Sequence, residues 1–215
     1  MVGRTSERVR RAARRRPVPH VVTHDGVTDA AVAIALTLLI LPLVDVAGAA
    51  GDTPVGTLLD ESESQIFGFL LSFAVIIRYW SAHRSSWEGL RDYDEVLMGL
   101  NSLWLLTIIF LPFSTALLTS GDGLPRGGAV FYIATLLAIG LTGQAMAWRI
   151  YRRPALRAPF VTDAMMRGRL RQGNASLVVL LASTALAVIN PTAGLFALLL
   201  LAATRIRLRS HRRVA

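Results

Sequence analysis

Apolar residues in this chain come in long blocks separated by short polar, arginine-rich segments. The first block runs from Val27 to Val46, twenty residues. A bilayer core of about 30 Å takes about that many helical residues at about 1.5 Å each. Five more blocks follow, at Gln65 to His83, Leu97 to Leu118, Val130 to Trp148, Ala175 to Val188 and Thr192 to Ile206. The last two are short and are split by Asn190-Pro191, a turn signal. Read as one helix, Ala175 to Ile206 would be about 48 Å long, well beyond a bilayer. The pattern predicts an all-α membrane protein with six transmembrane helices.

The arginines choose between five and six spans. They cluster from Arg4 to Arg16, from Arg149 to Arg171, and from Arg205 to Arg213. The first inter-span loop carries Asp52, Asp60, Glu61 and Glu63 and no base. Six spans put every arginine cluster on one side, so both termini are expected in the cytoplasm of a plasma-membrane protein. This divides the chain into a basic tail (1–22), a six-span domain (23–208) and a basic C-terminal tail (209–215). A basic tail before an apolar run has the form of a signal peptide. Here the run is long and no small-residue cleavage site with a soluble domain follows, so it reads as a retained span.

The net charge of +9 comes with no lysine at all. Nucleic acid is the usual partner of so basic a chain, but basic inner loops explain the charge, and no nucleic acid is expected. There is no cysteine, which excludes disulfides and thiolate metal sites. No phosphate-binding glycine loop or paired-histidine zinc motif occurs, so the chain is expected to be no enzyme and to need no cofactor. His20, His24, His83 and His211 are scattered. Thr53-Pro54-Val55-Gly56 has the outline of a filter loop without its aromatic-glycine end, and carries no weight. Trp80, Trp87 and Trp148 fall near inner boundaries, as an aromatic belt would.

The first span carries Thr28 and Asp29 at its start. An acid at the edge of lipid must face protein or water. On a helical wheel with Ile34 at zero, Leu38 lies at about +40°, Leu41 at about −20° and Thr37 at about −60°. Asp45 lies at about +20°, near the far end of the same face, and Asp29 about 140° away. The stripe of Ile34, Leu38 and Leu41 is either a seam against another helix of the same subunit or a pore wall gated by dewetting. In the second case Asp45 would gather cations at the mouth.

At these residues the chain resembles the bacterial relatives of the endolysosomal potassium channel called transmembrane protein 175. The first helix of that family carries Arg-x-x-x-Phe-Ser-Asp and then an Ala-Ile-Ala-x-Thr-Leu-Leu-like run. Thr28-Asp29, Ala33-Ile34-Ala35 and Thr37-Leu38-Leu39 match it, while Val27 and Thr23 stand where Phe and Arg are usual. Trp80-Ser81-Ala82-His83 matches a Trp-x-x-His pattern. Asp94, Asn101 and Leu111-Pro112-Phe113-Ser114-Thr115-Ala116-Leu117-Leu118 match the third span. The resemblance thus covers roughly Val27 to Leu118.

It implies a homotetramer of six-helix subunits around a pore lined by the first helix, passing potassium ions passively without a filter loop. It implies a constriction at Ile34, with Leu38 and Leu41 further outward, and a selectivity hydroxyl at Thr37. Asp29, with Thr28, is expected to join Trp80, His83 and Asn101 in a polar network that fixes the pore helix. Two other classes remain in view. One is a proton-coupled or solute transporter using Asp29 and His83. The other is a non-conducting scaffold whose arginine tails meet anionic lipid.

Overall fold

The computed structural model describes residues 19–121 and 125–198, with side chains from Gly26 onward. Among the described residues the chain is helical apart from its connections. The elements are α1 (Pro19–Leu38), α2 (Leu41–Ala49), α3 (Val55–Glu61), α4 (Glu63–Trp87), α5 (Glu95–Leu118), α6 (Arg126–Arg152), a 3-10 turn (Pro154–Leu156) and α7 (Asp163–Ile189). Five stretches are long and apolar enough to cross a membrane: Gly26–Ala49, Glu63–Trp87, Glu95–Leu118, Arg126–Arg152 and Asp163–Ile189. The chain is therefore a multi-pass helical membrane protein. Residues 191–198 are also helical. The rest of the expected sixth span and the C-terminal tail lie outside the described residues, as does most of the N-terminal tail.

The turn at Asn190-Pro191 forms for the expected reason. A residue before proline is pushed out of the helical region, and Asn190 is extended at φ −140°, ψ 110°. Its side-chain oxygen then accepts from Ala193 N at 3.1 Å, starting the next helix.

The first span is not the single straight helix that the wheel assumed. It breaks at Leu39-Ile40, between α1 and α2. Pro42 sits in the first turn of α2. It has no N–H to offer Leu38, and its ring crowds that carbonyl. Hydrogen bonding tightens around the break, with Ile40 N to Thr37 O at 3.4 Å and Leu43 N to Ile40 O at 3.0 Å. The wheel therefore holds for Ile34, Thr37 and Leu38, while its phase for Leu41 and Asp45 does not carry across. After α2 the chain reverses at Gly51, which takes φ +53°. Val55 and Gly56, the last two residues of the filter-like tetrapeptide, begin α3, behind Pro54 as N-cap.

The core lies between α4, α5 and α6, where Ile76, Trp104, Ile108, Leu111, Tyr132, Ile133 and Leu136 are fully buried. Helices α5 and α6 form the most extensive pair, α7 lies along α6, and α1 lies along α5 and, less closely, α4. Within this core Ser72 Oγ lies 2.7 Å from Thr115 Oγ1 and 3.1 Å from Tyr132 Oη, so no hydroxyl of the three is stranded. Where α5 and α6 meet, Gly128 lies so close to Leu117 that a Cβ would overlap the Leu117 carbonyl.

The segments after α4 and after α6 meet at one end of the bundle. Arg91 N donates to Leu156 O at 2.8 Å and Ala158 N to Gly89 O at 2.9 Å, around a single antiparallel bridge between Leu90 and Arg157. The start of α1 and the arginine-rich segment share this end, called the basic end below.

Candidate functional site

The two faces of α1 differ in what they touch. Thr28, Val32, Ala35 and Leu39 are buried against the bundle. Their spacing of four, three and four is that of one helix face. Ile34 is 57% exposed, Leu38 38% and Leu41, across the break, 48%. Thr37 is exposed on the same side, and Asp45 is exposed on α2. The stripe is thus no seam against another described helix of this chain. Thr37 Oγ1 donates to Ile34 O at 2.8 Å, which uses its proton and leaves its oxygen lone pairs free.

Asp29 leaves α1 on a third side, towards α4. Its Oδ1 accepts from the indole nitrogen of Trp80 at 2.6 Å. Its Oδ2 lies 3.9 Å from Nη1 of Arg84, one turn further along α4. The Arg84 guanidinium sits 5.5 Å from the centre of the Trp80 ring. A carboxylate at a membrane edge thus gains a charge-assisted donor and a cation together.

His83 and Asn101 form a second cluster, deeper and neutral. His83 Nε2 lies 2.7 Å from Asn101 Oδ1 and 2.8 Å from the indole nitrogen of Trp87. The His83 ring stacks on Trp104 with centroids 4.1 Å apart. The Trp87 indole can only donate, so its bond needs Nε2 unprotonated, with the ring proton on Nδ1. Turning the Asn101 amide exchanges its oxygen and nitrogen and lets Nε2 accept from both neighbours. His83, Asn101, Trp87 and Trp104 are all buried. This is the arrangement of a helix-packing histidine.

The expected network is therefore present in two parts. Trp80 holds Asp29 as expected, but His83 and Asn101 hold each other. Thr28 is buried on the bundle face of α1. Trp87 is a correction to the aromatic-belt reading, because it is buried and spends its N–H on His83. Of the three indoles only Trp148 stands open at an end, with Arg152 stacked 4.6 Å from its ring centre. Two members of the site were not singled out from the sequence: Arg84, beside Asp29, and Trp104, under the His83 ring. The heptad-like spacing of Trp80, His83, Arg84 and Trp87 on one helix was the available signal.

Further ties close the basic end. Asp94 caps α5 by accepting from Leu97 N at 2.9 Å. It also takes both Nε (3.0 Å) and Nη2 (2.6 Å) of Arg149, at the end of α6. The Arg149 guanidinium holds the Asp94 carboxyl below its ordinary range. Arg157, nearly enclosed, pairs with Asp163 at 2.6 Å. Arg169 Nη2 donates to Ser85 O at 2.9 Å and so fastens α7 to α4. No cluster of metal-ligating side chains occurs among the described residues.

A bundle of long apolar helices, tied by polar bonds at one end and baring one face of its first helix, has the form of a polytopic transport-type membrane protein. Comparisons make that specific. The family described as the endosomal/lysosomal potassium channel TMEM175 matches residues 25–112. A potassium channel of Streptomyces collinus is 30% identical over 157 residues, covering 71% of this chain and 76% of that protein. The human endosomal/lysosomal proton channel TMEM175 is 26% identical over 148 residues, 67% of this chain but 29% of the human protein. Among solved structures, the lysosomal potassium-selective channel TMEM175 homologue of Chamaesiphon minutus superposes with a TM-score of 0.73 at 23% identity, covering 90% of this chain and 99% of that one. The chain belongs to the TMEM175 family.

Proposed function

We propose that this protein is a potassium-permeable cation channel, conducting passively through a pore lined by α1. The observation that carries the reading is the division of α1 into a buried face and an exposed one. One copy has a single first helix and cannot enclose a path, so the reading requires several copies, and we take the assembly to be a homotetramer. Six spans with both termini in the cytoplasm accord with the arginine segregation, and we take the membrane to be the plasma membrane. The streptomycete relative's name supports potassium as the ion.

In such an assembly Ile34 would supply four branched side chains to one ring. A narrow apolar ring excludes a hydrated cation, so it acts as the gate. Leu38 would form the next ring outward. Leu41, in α2, would form a third, set by the break. Thr37 would turn its free lone pairs towards a partly dehydrated ion, and Asp45 would gather cations at the mouth. Asp29 stands apart from permeation and fixes α1 to α4. The separate partners of Asp29 and His83 favour this over a transporter relay that joins the two.

The test is flux into liposomes holding the purified protein. Ile34→Asn should wet the ring and raise potassium flux by tenfold or more, as about 1.4 kcal/mol off a barrier gives. Thr37→Ala should lower the preference for potassium over sodium more than the total flux. The human relative is named a proton channel, so proton flux is measured beside potassium. Unchanged flux in Ile34→Asn with the assembly intact overturns the pore reading. Proton flux without potassium flux overturns the ion.

A further inference from the structure

Arg84 is claimed by two carboxylates at once. Its Nη1 lies 3.9 Å from Asp29 on α1 and its Nε 3.4 Å from Glu88 on its own helix. Neither contact is as short as the 2.6 Å between Arg149 and Asp94 nearby. The guanidinium rests against the Trp80 ring between the two acids. Trp80 itself donates to Asp29, so the platform and the target are linked.

Glu88 is badly placed for helix stability. It is the C-cap of α4, where unpaired carbonyls gather and an acid is unfavourable. Arg84 precedes it by four residues, the weaker order for such a pair. It is 66% exposed on its side chain, so packing does not account for it. What it does engage is the cation that also serves Asp29.

We infer that Arg84 is a positioning residue for α1, and that Glu88 sets how much of its charge Asp29 receives. The inference rests on the reading of α1 as pore helix. On the wheel Asp29 lies about 140° from Ile34 and five residues earlier, about 7.5 Å along the axis. Drawing Asp29 towards α4 therefore draws the Ile34 face back from the centre of an assembly. Releasing it lets that face move inward and narrows the ring. Glu88 competes with Asp29, so it acts in the opposite sense to Arg84.

The experiment uses the full chain in liposomes, with R84Q, E88Q and the double variant. The contacts are half-exposed, so each single change should shift potassium flux by roughly threefold, the scale of one such ion pair. R84Q should lower flux and E88Q raise it. The double variant should match R84Q, because Glu88 acts only through Arg84. R84K, which keeps the charge without the planar fork, should lose less than R84Q. The chain has no cysteine, so spin labels at Gly26→Cys and Ser85→Cys report the α1–α4 distance directly. That distance should broaden in R84Q and narrow in E88Q. Opposite signs with the double variant following R84Q support the inference. A shift in the same direction for both singles, or an E88Q effect that persists in the R84Q background, overturns it. Unmoved label distances also overturn it. Should the wild-type chain pass no potassium, the pore reading fails, and the label distances still decide the role of Arg84.

Discussion

The two ends of this bundle are held by different physics. At the basic end helices are joined by long polar side chains, Asp29 to Trp80, Asp94 to Arg149 and Arg169 to the Ser85 carbonyl, while Arg157 ties the connection before α7 to Asp163. At the opposite end they are joined by the absence of side chains. Gly128 admits the Leu117 backbone, and Gly194 admits Ala187. Small residues suit helix contact in lipid, where dispersion and close approach replace the hydrophobic drive. Charged side chains suit the water-facing end, where their desolvation is partial. The first span takes part in this contrast along its own length. Its α1 half has a buried face, whereas α2 and α3 bury no residue.

The strongest way to break the contrast is to add atoms where the second mechanism needs none. Gly128→Val places a branched side chain against the Leu117 carbonyl, which belongs to a helix backbone and cannot swing aside. Overpacking of this kind costs about 1–3 kcal/mol and more where backbone must move. Loss of the monodisperse peak in detergent size exclusion is expected. A retained peak at wild-type Tm would show that α5 and α6 slide freely here.

Next in size is the buried histidine cluster. Asn101→Leu keeps roughly the volume and removes the polar partner of His83, leaving Nε2 with Trp87 alone. Nε2 keeps the Trp87 donor, so the loss is one net hydrogen bond, about 1 kcal/mol, and Tm should fall accordingly. Trp87→Phe keeps a ring but loses the N–H while Asn101 stays in place, so its fall should be of similar size, one net hydrogen bond of about 1 kcal/mol. Equal Tm for wild type and Asn101→Leu would mean that the stack on Trp104, not the hydrogen bond, fixes His83.

These clusters also mark what the sequence could convey. Hydropathy located every described span, because twenty apolar residues in a row admit few other structures. Asp29, Trp80, His83 and Asn101 could be grouped into one network because polar residues in spans must find partners. The division into two clusters could not, because it depends on how far α1 is rotated against α4. Pro42 illustrates a different limit. It ends α1, whereas Pro112 lies inside α5 without ending it. Both are single prolines in apolar runs. The difference lies in tertiary support, since α5 is packed on both α1 and α6 while α2 buries nothing. The partnership of Asp94 with Arg149, 55 residues apart, likewise exists only once α5 and α6 are paired.

The Asp94–Arg149 tie gives a pH test of smaller size. The folded carboxyl is held below its ordinary range near 4. A group depressed in the folded state contributes fully above its unfolded value and loses that contribution as pH falls through the folded one. The Tm difference between wild type and Arg149→Gln should therefore be constant from pH 7 to pH 5. It should shrink only below about pH 4. The plateau should correspond to about 1 kcal/mol for a partly exposed pair. A difference that already fades between pH 7 and pH 5 would assign the tie to another titrating group.

The smallest effect is expected where neither mechanism operates. Leu59 lies in α3, is 53% exposed, and belongs to a helix with no buried residue. Within one chain, Leu59→Ser removes a side chain that already faces outward. Surface changes of this sort stay within about 0.5 kcal/mol, so the Tm of the dissociated subunit in detergent should not move. The outcome bears on assembly as well as on stability. In a homotetramer whose first spans gather at the centre, the loop carrying α3 would stand near its copies at the mouth. Leu59 would then be covered by a neighbour, and Leu59→Ser would lower the Tm of the assembled protein while sparing the dissociated subunit. Measuring both forms, separated by size exclusion, distinguishes an α3 that is simply free from one that is free only in a single copy.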